Sequence, residues 1–324
     1  MSAVDNIKKP VQAELKSFEP FFRDAVKSNV SLLNIVTNYI IKRKGKQMRP
    51  LFVFLTAKML GETTESTNRA AALIELMHTA TLVHDDVVDD AHTRRNAFSI
   101  NALWKNKIAV LVGDFLLSKG LLISLENEEY GVLRIITDAV KEMSEGELLQ
   151  LEKSRKLDIN EDVYYEIITK KTAVLIAACL ASGARSVNAS DNIVKQMWEV
   201  GIAAGISFQI KDDLFDYQQT NLTGKPSGND IQERKLTLPL IYALKNASKS
   251  EQKHILKLLK KKKKTTNIVN EIHSFAKNNG GIEYTQQQML MYNNKAIELL
   301  NNIDDNEAKQ SLIQLIKYSV ERKK

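Results

Sequence analysis

Apolar residues recur at helical spacing along most of this chain: Phe18, Phe21, Phe22 and Val26, then Leu32, Leu33, Val36 and Ile40, then Leu73, Ile74, Met77 and Ala80 with Thr81 beside them. Such i, i+3, i+4 series predict helices that bury one face. Strict alternation of apolar and polar residues is scarce, so the predicted fold class is all-α. Two segments are apolar on more than one face: residues 70–83 carry a single charge, Glu75, and residues 200–210 carry none. A helix that is hydrophobic all round lies in the interior of a large domain. Clusters of Gly, Pro, Asn or charge predict breaks at 43–50, 60–68, 93–98, 157–161, 218–234, 260–266 and 278–281. None of these is long enough for an interdomain linker, and no repeat is visible. The pattern predicts one domain over residues 1–324, built from roughly a dozen helices.

Composition agrees. The chain has 13 glycines and 5 prolines in 324 residues, about half the usual share of turn-formers, which argues against a barrel or sandwich. Hydrophobic residues at 44% and charged residues at 26% suffice for a sizeable core and are too apolar for disorder. The net charge of +7 is matched by seven lysines and no acid within 253–264. The basic excess is therefore a local tract, not a nucleic-acid-binding face. Lysines 260–264 are read as a solvated loop, with transient contact to an anionic membrane surface as the other reading. Cys179 is the only cysteine, which excludes a disulfide framework and a cysteine-based zinc site. No signal-peptide pattern opens the chain. The longest strongly apolar uncharged stretch, 172–184, has 13 residues, short of the roughly 20 that span a bilayer. A soluble, cytoplasmic protein is expected.

Both apolar segments run into the same acidic pattern: Asp85-Asp86-x-x-Asp89 and Asp212-Asp213-x-x-Asp216. On a helix, positions i, i+1 and i+4 put at least two carboxylates on one face, a turn apart. Like charges there are mutually unfavourable, and acids near a helix C-terminus oppose the helix dipole. One such cluster is commonly a solvated helix end; two, each closing a buried helix, point to a cation. Carboxylate oxygens without cysteine select a hard ion, Mg²⁺ before Zn²⁺, and Mg²⁺ is commonly held by one or two carboxylates plus substrate phosphates. The pattern predicts a phosphorylated substrate.

Phosphate calls for cationic donors, and these stand in four loop or helix-end contexts: Gly45-Lys46-Gln47-Met48-Arg49-Pro50, Arg94-Arg95, Lys170-Lys171-Thr172, and Gly224-Lys225-Pro226-Ser227-Gly228 followed by Glu233-Arg234-Lys235. Arginine grips phosphate bidentately, and lysine acts as a point charge. The glycine-flanked Lys225 loop is not a Walker A element.

In combination, these motifs, with His78 seven residues before Asp85, Phe208-Gln209 before the second cluster and Lys235-Leu-Thr-Leu-Pro239 after it, resemble the trans-isoprenyl diphosphate synthases, or polyprenyl synthetases, of the long-chain type. The resemblance runs in order from Gly45 to Tyr242. It implies the isoprenoid synthase fold, helices around a central active-site cavity, in a homodimer. Asp85, Asp86 and Asp89, with Asp212, Asp213 and Asp216, would hold Mg²⁺ ions, three per site, that clamp an allylic diphosphate. Arg94, Lys171, Lys225 and Lys235 would neutralise that diphosphate; Lys46, Arg49, His78 and Arg95 would bind isopentenyl diphosphate; Thr172 and Gln209 would sit beside the developing cation. Two positions depart from the family pattern. Asn96 follows Arg-Arg where glycine is usual, and Arg234 precedes Lys235 where glycine is frequent. Asparagine is among the non-glycine residues most tolerant of positive φ.

In this family the growing tail runs back along the helix of the first motif. Ala80 and Thr81, one turn before Asp85, are small, and Met77 and Ile74 lie about 12 and 16 Å from it at 1.5 Å per residue. The expected product is an all-trans chain of about C35 to C40, suited to a quinone side chain. The alternatives are a geranylgeranyl or farnesyl diphosphate synthase, a terpene cyclase, a phosphohydrolase using His84-Asp85 as a ligand pair, or a non-enzymatic helical binding module. Lys46, Arg49 and Asp216 speak against the cyclase, and the lack of any histidine before His78 against the phosphohydrolase.

Overall fold

The structure is a computed structural model that describes residues 3–42, 47–94, 97–157, 159–217, 228–261 and 263–322. In chain order its helices are α1 (Ala3–Lys8), α2 (Gln12–Ala25), α3 (Ser31–Lys42), α4 (Met48–Leu60), α5 (Glu65–Val88), α6 (Ile100–Glu126), α7 (Tyr130–Lys156), α8 (Glu161–Ile168), α9 (Val174–Ser186), α10 (Asp191–Asp216), α11 (Asn229–Gln232), α12 (Leu238–Asn246), α13 (Lys249–Lys260), α14 (Thr266–Asn278), α15 (Gly281–Glu298) and α16 (Glu307–Glu321). Among the described residues the only strands are β1 (Thr93–Arg94) and β2 (Ala97–Phe98), a short antiparallel pair. The all-α prediction holds, with this one added hairpin. The chain divides into two compact units: Met1–Val140, Ala178–Trp198 and Asp304–Leu312 form one, and Lys141–Ala177, Glu199–Ile303 and Ile313–Lys324 the other.

In the first unit α5 is the central helix. Thr67 accepts from the Thr64 backbone N–H and so caps its start. Leu73, Ile74, Leu76, Met77, Ala80 and Val83 are buried, as the all-round apolar pattern predicts. Each large aliphatic side chain so buried contributes about 2 kcal/mol. The neighbouring α6 approaches α5 at two glycines: a Cβ on Gly113 would strike the His84 ring, and one on Gly120 would meet Leu73 at 2.8 Å. His84 thus points at α6, where its Nε2 lies 3.2 Å from the Val110 carbonyl. That orientation removes the reading of His84-Asp85 as a ligand pair.

The outer side of α6 is apolar, with Leu103, Val110, Leu111, Leu122 and Leu125 exposed. Ile100–Glu126 and Glu161–Ser186 are both long and apolar enough to cross a membrane by length and composition. Counting only uncharged stretches in the sequence had excluded such spans. Glu161–Ser186 is mostly buried inside the protein, and Ile100–Glu126 is about one-third buried.

In the second unit Tyr164, Ile168, Ala173, Ile206, Ile210 and Leu214 belong to one core that also takes in Leu238, Leu240, Leu259 and Ile272. Its helices start and stop for local reasons. Ser248 and Glu251 form a capping box at α13, and Gly280 adopts φ 72°, the left-handed turn that separates α14 from α15. Along α10, Gly201 and Gly205 face Ala177 and Ala173, where any Cβ would lie within 2.5 Å of a backbone Cα. The two segments are therefore packed backbone to backbone. Between α8 and α9 the chain makes a π-helical turn, Thr169–Ala173, a feature frequent at functional sites.

Most predicted breaks are found. Residues 43–46 and 218–227 of two others lie outside the described residues, and further breaks at 26–30, 127–129, 187–190 and 299–306 lack a Gly or Pro signal and were not anticipated. The lysine tract is only partly a solvated loop. Lys260, Lys261 and Lys263 are exposed, but Lys264 is buried, its Nζ donating to the Gln232 carbonyl. Gln232 Nε2 donates back to the Lys264 carbonyl and Arg234 to that of Lys260. The tract thus anchors the segment that leads into Lys235. Arg234 sits at φ 60°, which supplies a physical reason for glycine at that position in the family pattern.

Candidate active site

In the first unit the Asp85-Asp86-x-x-Asp89 cluster closes α5. Asp85 is half-buried and Asp89 exposed, while Asp86 is buried and its Oδ1 accepts from both Arg94 Nε and Nη2 at 2.7 Å. Burial raises the Asp86 carboxyl pKa and Arg94 pulls it back. Asn101 Nδ2 donates to the Asp86 carbonyl at 3.0 Å, and Tyr39 ties α3 to the hairpin through the Phe98 carbonyl. Arg49 pairs with Glu75 at 3.0 Å. Arg49, Asp86 and Arg94 share the wall of a cavity of about 170 Å³ whose other walls include Phe22, Tyr39 and Val83.

His78 is half-buried and not on that wall. Lys46 and Arg95 lie outside the described residues. Of the residues expected to set product length, Ile74, Met77 and Ala80 are buried. Ala80 clusters with Val83, Val112 and Leu116, and Met77 Sδ faces Gly120. Thr81 is half-buried and donates to the His78 carbonyl at 2.8 Å. None of the four lines the 170 Å³ cavity.

In the second unit a cavity of about 120 Å³ gathers Lys171, Thr172, Gln209, Asp213, Asp230 and Lys235. The close packing of Gly205 on Ala173 brings Gln209, one turn along α10, against the π-turn. Thr172 Oγ1 donates to Gln209 Oε1 at 2.8 Å, and Gln209 Nε2 donates to Asp213 Oδ1 at 2.8 Å. Gly146 lets α7 pass against the backbone of Lys170 and Lys171. There Lys171 forms an ion pair with Glu147 and donates to Gln150 at 2.9 Å. Lys235 pairs with Glu233 at 2.5 Å; burial pulls its pKa down, but Glu233 and Asp230 outweigh that and raise it. Burial, with Asp230 nearby, pushes Asp213 up to about 7. Burial and Asp216 push Asp230 up to about 6. Lys225 lies outside the described residues.

The six aspartates are not equivalent. Asp86 is held by Arg94, and both Asp213 oxygens accept from protein donors, Gln209 at Oδ1 and Tyr164 at Oδ2. Asp216 accepts from the backbone N–H of Gly228 at 3.0 Å and of Asp230 at 3.1 Å. Asp212 pairs with Arg322, whose guanidinium lies 4.3 Å over Phe208. Four of the six, Asp86, Asp212, Asp213 and Asp216, thus already hold protein donors, and all six remain the expected Mg²⁺ carboxylates. No three His, Cys, Asp or Glu side chains converge as a metal cage among the described residues. A carboxylate-only donor set of this kind suits Mg²⁺ completed by substrate phosphate oxygens. The sequence reading missed Tyr164, Asp230, Glu147 and Arg322 as site residues. Asp230 stands two residues after Gly228 of the Lys225 loop, but Arg322 is 110 residues from Asp212 and had no local signal.

Comparison with known proteins identifies the family. A family model for polyprenyl synthetases matches residues 30–275. The chain belongs to the polyprenyl synthetase family. As a polyprenyl synthetase it is a prenyltransferase with the all-α isoprenoid synthase fold. It is 32% identical to the octaprenyl diphosphate synthase of Escherichia coli, over 92% of this chain and 93% of that one. Among solved structures, a polyprenyl synthase from Caulobacter crescentus complexed with calcium and isoprenyl diphosphate matches with TM-score 0.89 and 30% identity over 98% of both chains. A geranylgeranyl pyrophosphate synthase from Bacteroides thetaiotaomicron matches with TM-score 0.84 and 38% identity, over 99% of this chain and 100% of that one.

Proposed function

We propose that this polyprenyl synthetase condenses an allylic diphosphate such as farnesyl diphosphate with successive molecules of isopentenyl diphosphate, to an all-trans product of about C35 to C40. One observation carries the reading: Lys171, Thr172, Gln209, Asp213 and Lys235, drawn from separate stretches of sequence, line one cavity. Lys171 and Lys235, with Lys225 and Arg94, neutralise the allylic diphosphate as its C–O bond breaks. Thr172 and Gln209 present oxygen atoms to the positive charge that develops at the allylic carbon. Lys46, Arg49, His78 and Arg95 hold isopentenyl diphosphate, whose double bond attacks that carbon. A proton then leaves the adduct for the departing diphosphate, so no side-chain nucleophile is required. Asp85, Asp89 and Asp212, with Asp86, Asp213 and Asp216 behind them, are the carboxylates that would hold Mg²⁺, three ions per site. When bound, Mg²⁺ supplies charge neutralisation at the leaving diphosphate.

Several further features belong to this reading. Residues 1–324 act as one catalytic domain, since the family match runs through both compact units. The exposed apolar side of α6 is the surface of a homodimer. The setting is cytoplasmic, exposed Lys260, Lys261 and Lys263 touching anionic lipid as product is released, and the product serves a quinone side chain. A second reading, a geranylgeranyl diphosphate synthase, is favoured by the 38% identity to the Bacteroides enzyme. The test is incubation with farnesyl diphosphate, labelled isopentenyl diphosphate and Mg²⁺, beside an EDTA control and Asp85→Ala. Incorporation lost in both controls supports the proposal. No incorporation, with farnesyl diphosphate consumed, would move the assignment to a cyclase.

A further inference from the structure

The Tyr164 hydroxyl is buried in the second unit, one helical element before the π-turn, and donates to Asp213 Oδ2 at 2.6 Å. Asp213 is itself only 5% exposed. Its other oxygen accepts from Gln209 Nε2 at 2.8 Å, and Gln209 Oε1 accepts from the Thr172 hydroxyl at 2.8 Å. The four side chains form one line of hydrogen bonds, Tyr164 to Asp213, Gln209 to Asp213, Thr172 to Gln209, along the 120 Å³ cavity.

We infer that Tyr164 is a positioning residue: through Asp213 it fixes the sense of the Gln209 amide, so that the carbonyl end and not the NH₂ end faces the reacting carbon. This rests on the prenyl-transfer reading above. An amide side chain has a donor end and an acceptor end that are nearly isosteric. Which end faces the cavity is decided by its fixed partner. An acceptor oxygen at Asp213 claims the NH₂, which leaves Oε1 beside the Thr172 hydroxyl. Oε1 and the Thr172 oxygen retain lone pairs, the negative ends of two dipoles, as a developing cation requires. Without the second anchor from Tyr164 the Asp213 carboxylate can rotate, and the amide that depends on it loses its orientation.

The test compares two probes by isothermal titration in the presence of Mg²⁺. One is farnesyl S-thiolodiphosphate, uncharged at the allylic carbon; the other is an allylic ammonium with inorganic diphosphate, which places a positive charge there. Tyr164→Phe keeps the ring and its 5.5 Å edge contact with Tyr165 and removes only the hydroxyl. The expected result is thiolodiphosphate affinity within about twofold of wild type, ammonium affinity about tenfold weaker, and kcat about tenfold lower with the KM for isopentenyl diphosphate unchanged. In a Gln209→Ala background Tyr164→Phe should add nothing. Asp213→Leu, similar in size and without an acceptor oxygen, should show the same split between probes if Tyr164→Phe folds poorly. Equal weakening of both probes, no weakening of either, or additive losses in the double variant would each overturn the inference. Wild-type protein that binds neither probe would overturn the prenyl-transfer reading itself, and this inference with it.

Discussion

Gly205→Ala tests whether backbone-to-backbone packing in the second unit places the reacting groups. The added Cβ would stand 2.5 Å from Ala173 Cα and 2.8 Å from Ala173 Cβ. Carbon atoms rest at about 3.5 to 4 Å, and the obstacle is backbone, so α10 must retreat by about 1 Å. Gln209 is one turn further along the same face. Its 2.8 Å bond from Thr172 then stretches beyond the range of a hydrogen bond. Overpacking costs about 1 to 3 kcal/mol, and the gain in helix propensity over glycine returns up to about 1 kcal/mol. The net loss of stability is therefore small. A 1 Å displacement of a catalytic group costs about 100-fold in rate. The assay is kcat for labelled isopentenyl diphosphate incorporation beside the circular-dichroism melting point. Gly61→Ala is the control, because its nearest neighbour would lie at 3.6 Å and its backbone is extended. Gly205→Ala with kcat within twofold of wild type would refute the reasoning, as would an equal effect from Gly61→Ala.

Three further outcomes are expected. Asp213 and Asp230 are pushed up to about 7 and about 6, so each favours the fold only while protonated. Metal-free protein in EDTA should lose stability as pH rises from about 4 through 7, by at most about 4 kcal/mol for Asp213, and denaturant titrations of Asp213→Asn should show a flatter profile. Arg322 occupies the Asp212 carboxylate; Arg322→Ala should lower the Mg²⁺ concentration for half-maximal activity about threefold, and an unchanged Mg²⁺ titration would count against Asp212 as a ligand. Thr81 is half-buried and Ala80 fully buried. Thr81→Phe should end the product ladder at a shorter chain, whereas Ala80→Phe should lower the melting point first, by overpacking worth about 1 to 3 kcal/mol.

The elements legible in the sequence were those with a strong local signal. Residues 70–83 and 200–210 were apolar on more than one face, and both are largely buried in α5 and α10. The two aspartate clusters, Lys171-Thr172 and Lys235 were placed by motif, and Lys171, Thr172, Asp213 and Lys235 converge on one cavity. What escaped the sequence depended on contacts between distant positions or on geometry without a residue signature. The π-turn at Thr169–Ala173 looks like continuous helix in sequence. The Arg322–Asp212 pair and the Tyr164–Asp213 bond join residues that no short motif links. Spacing shows which carboxylates share a helix face, not which also accept from Arg94, Gln209 or a backbone N–H. Ala80 was expected beside the growing tail because it is small, and the structure packs it with Val83, Val112 and Leu116.

The most direct measurement is the mass of the extracted product after the purified protein is incubated with farnesyl diphosphate, excess isopentenyl diphosphate and Mg²⁺. The expected result is a series of five-carbon increments that stops at one all-trans chain of about C35 to C40, abolished by EDTA and by Asp85→Ala. A product that stops at C20 would contradict the long-chain account in favour of the geranylgeranyl reading. No extension of the primer at all would contradict chain elongation itself.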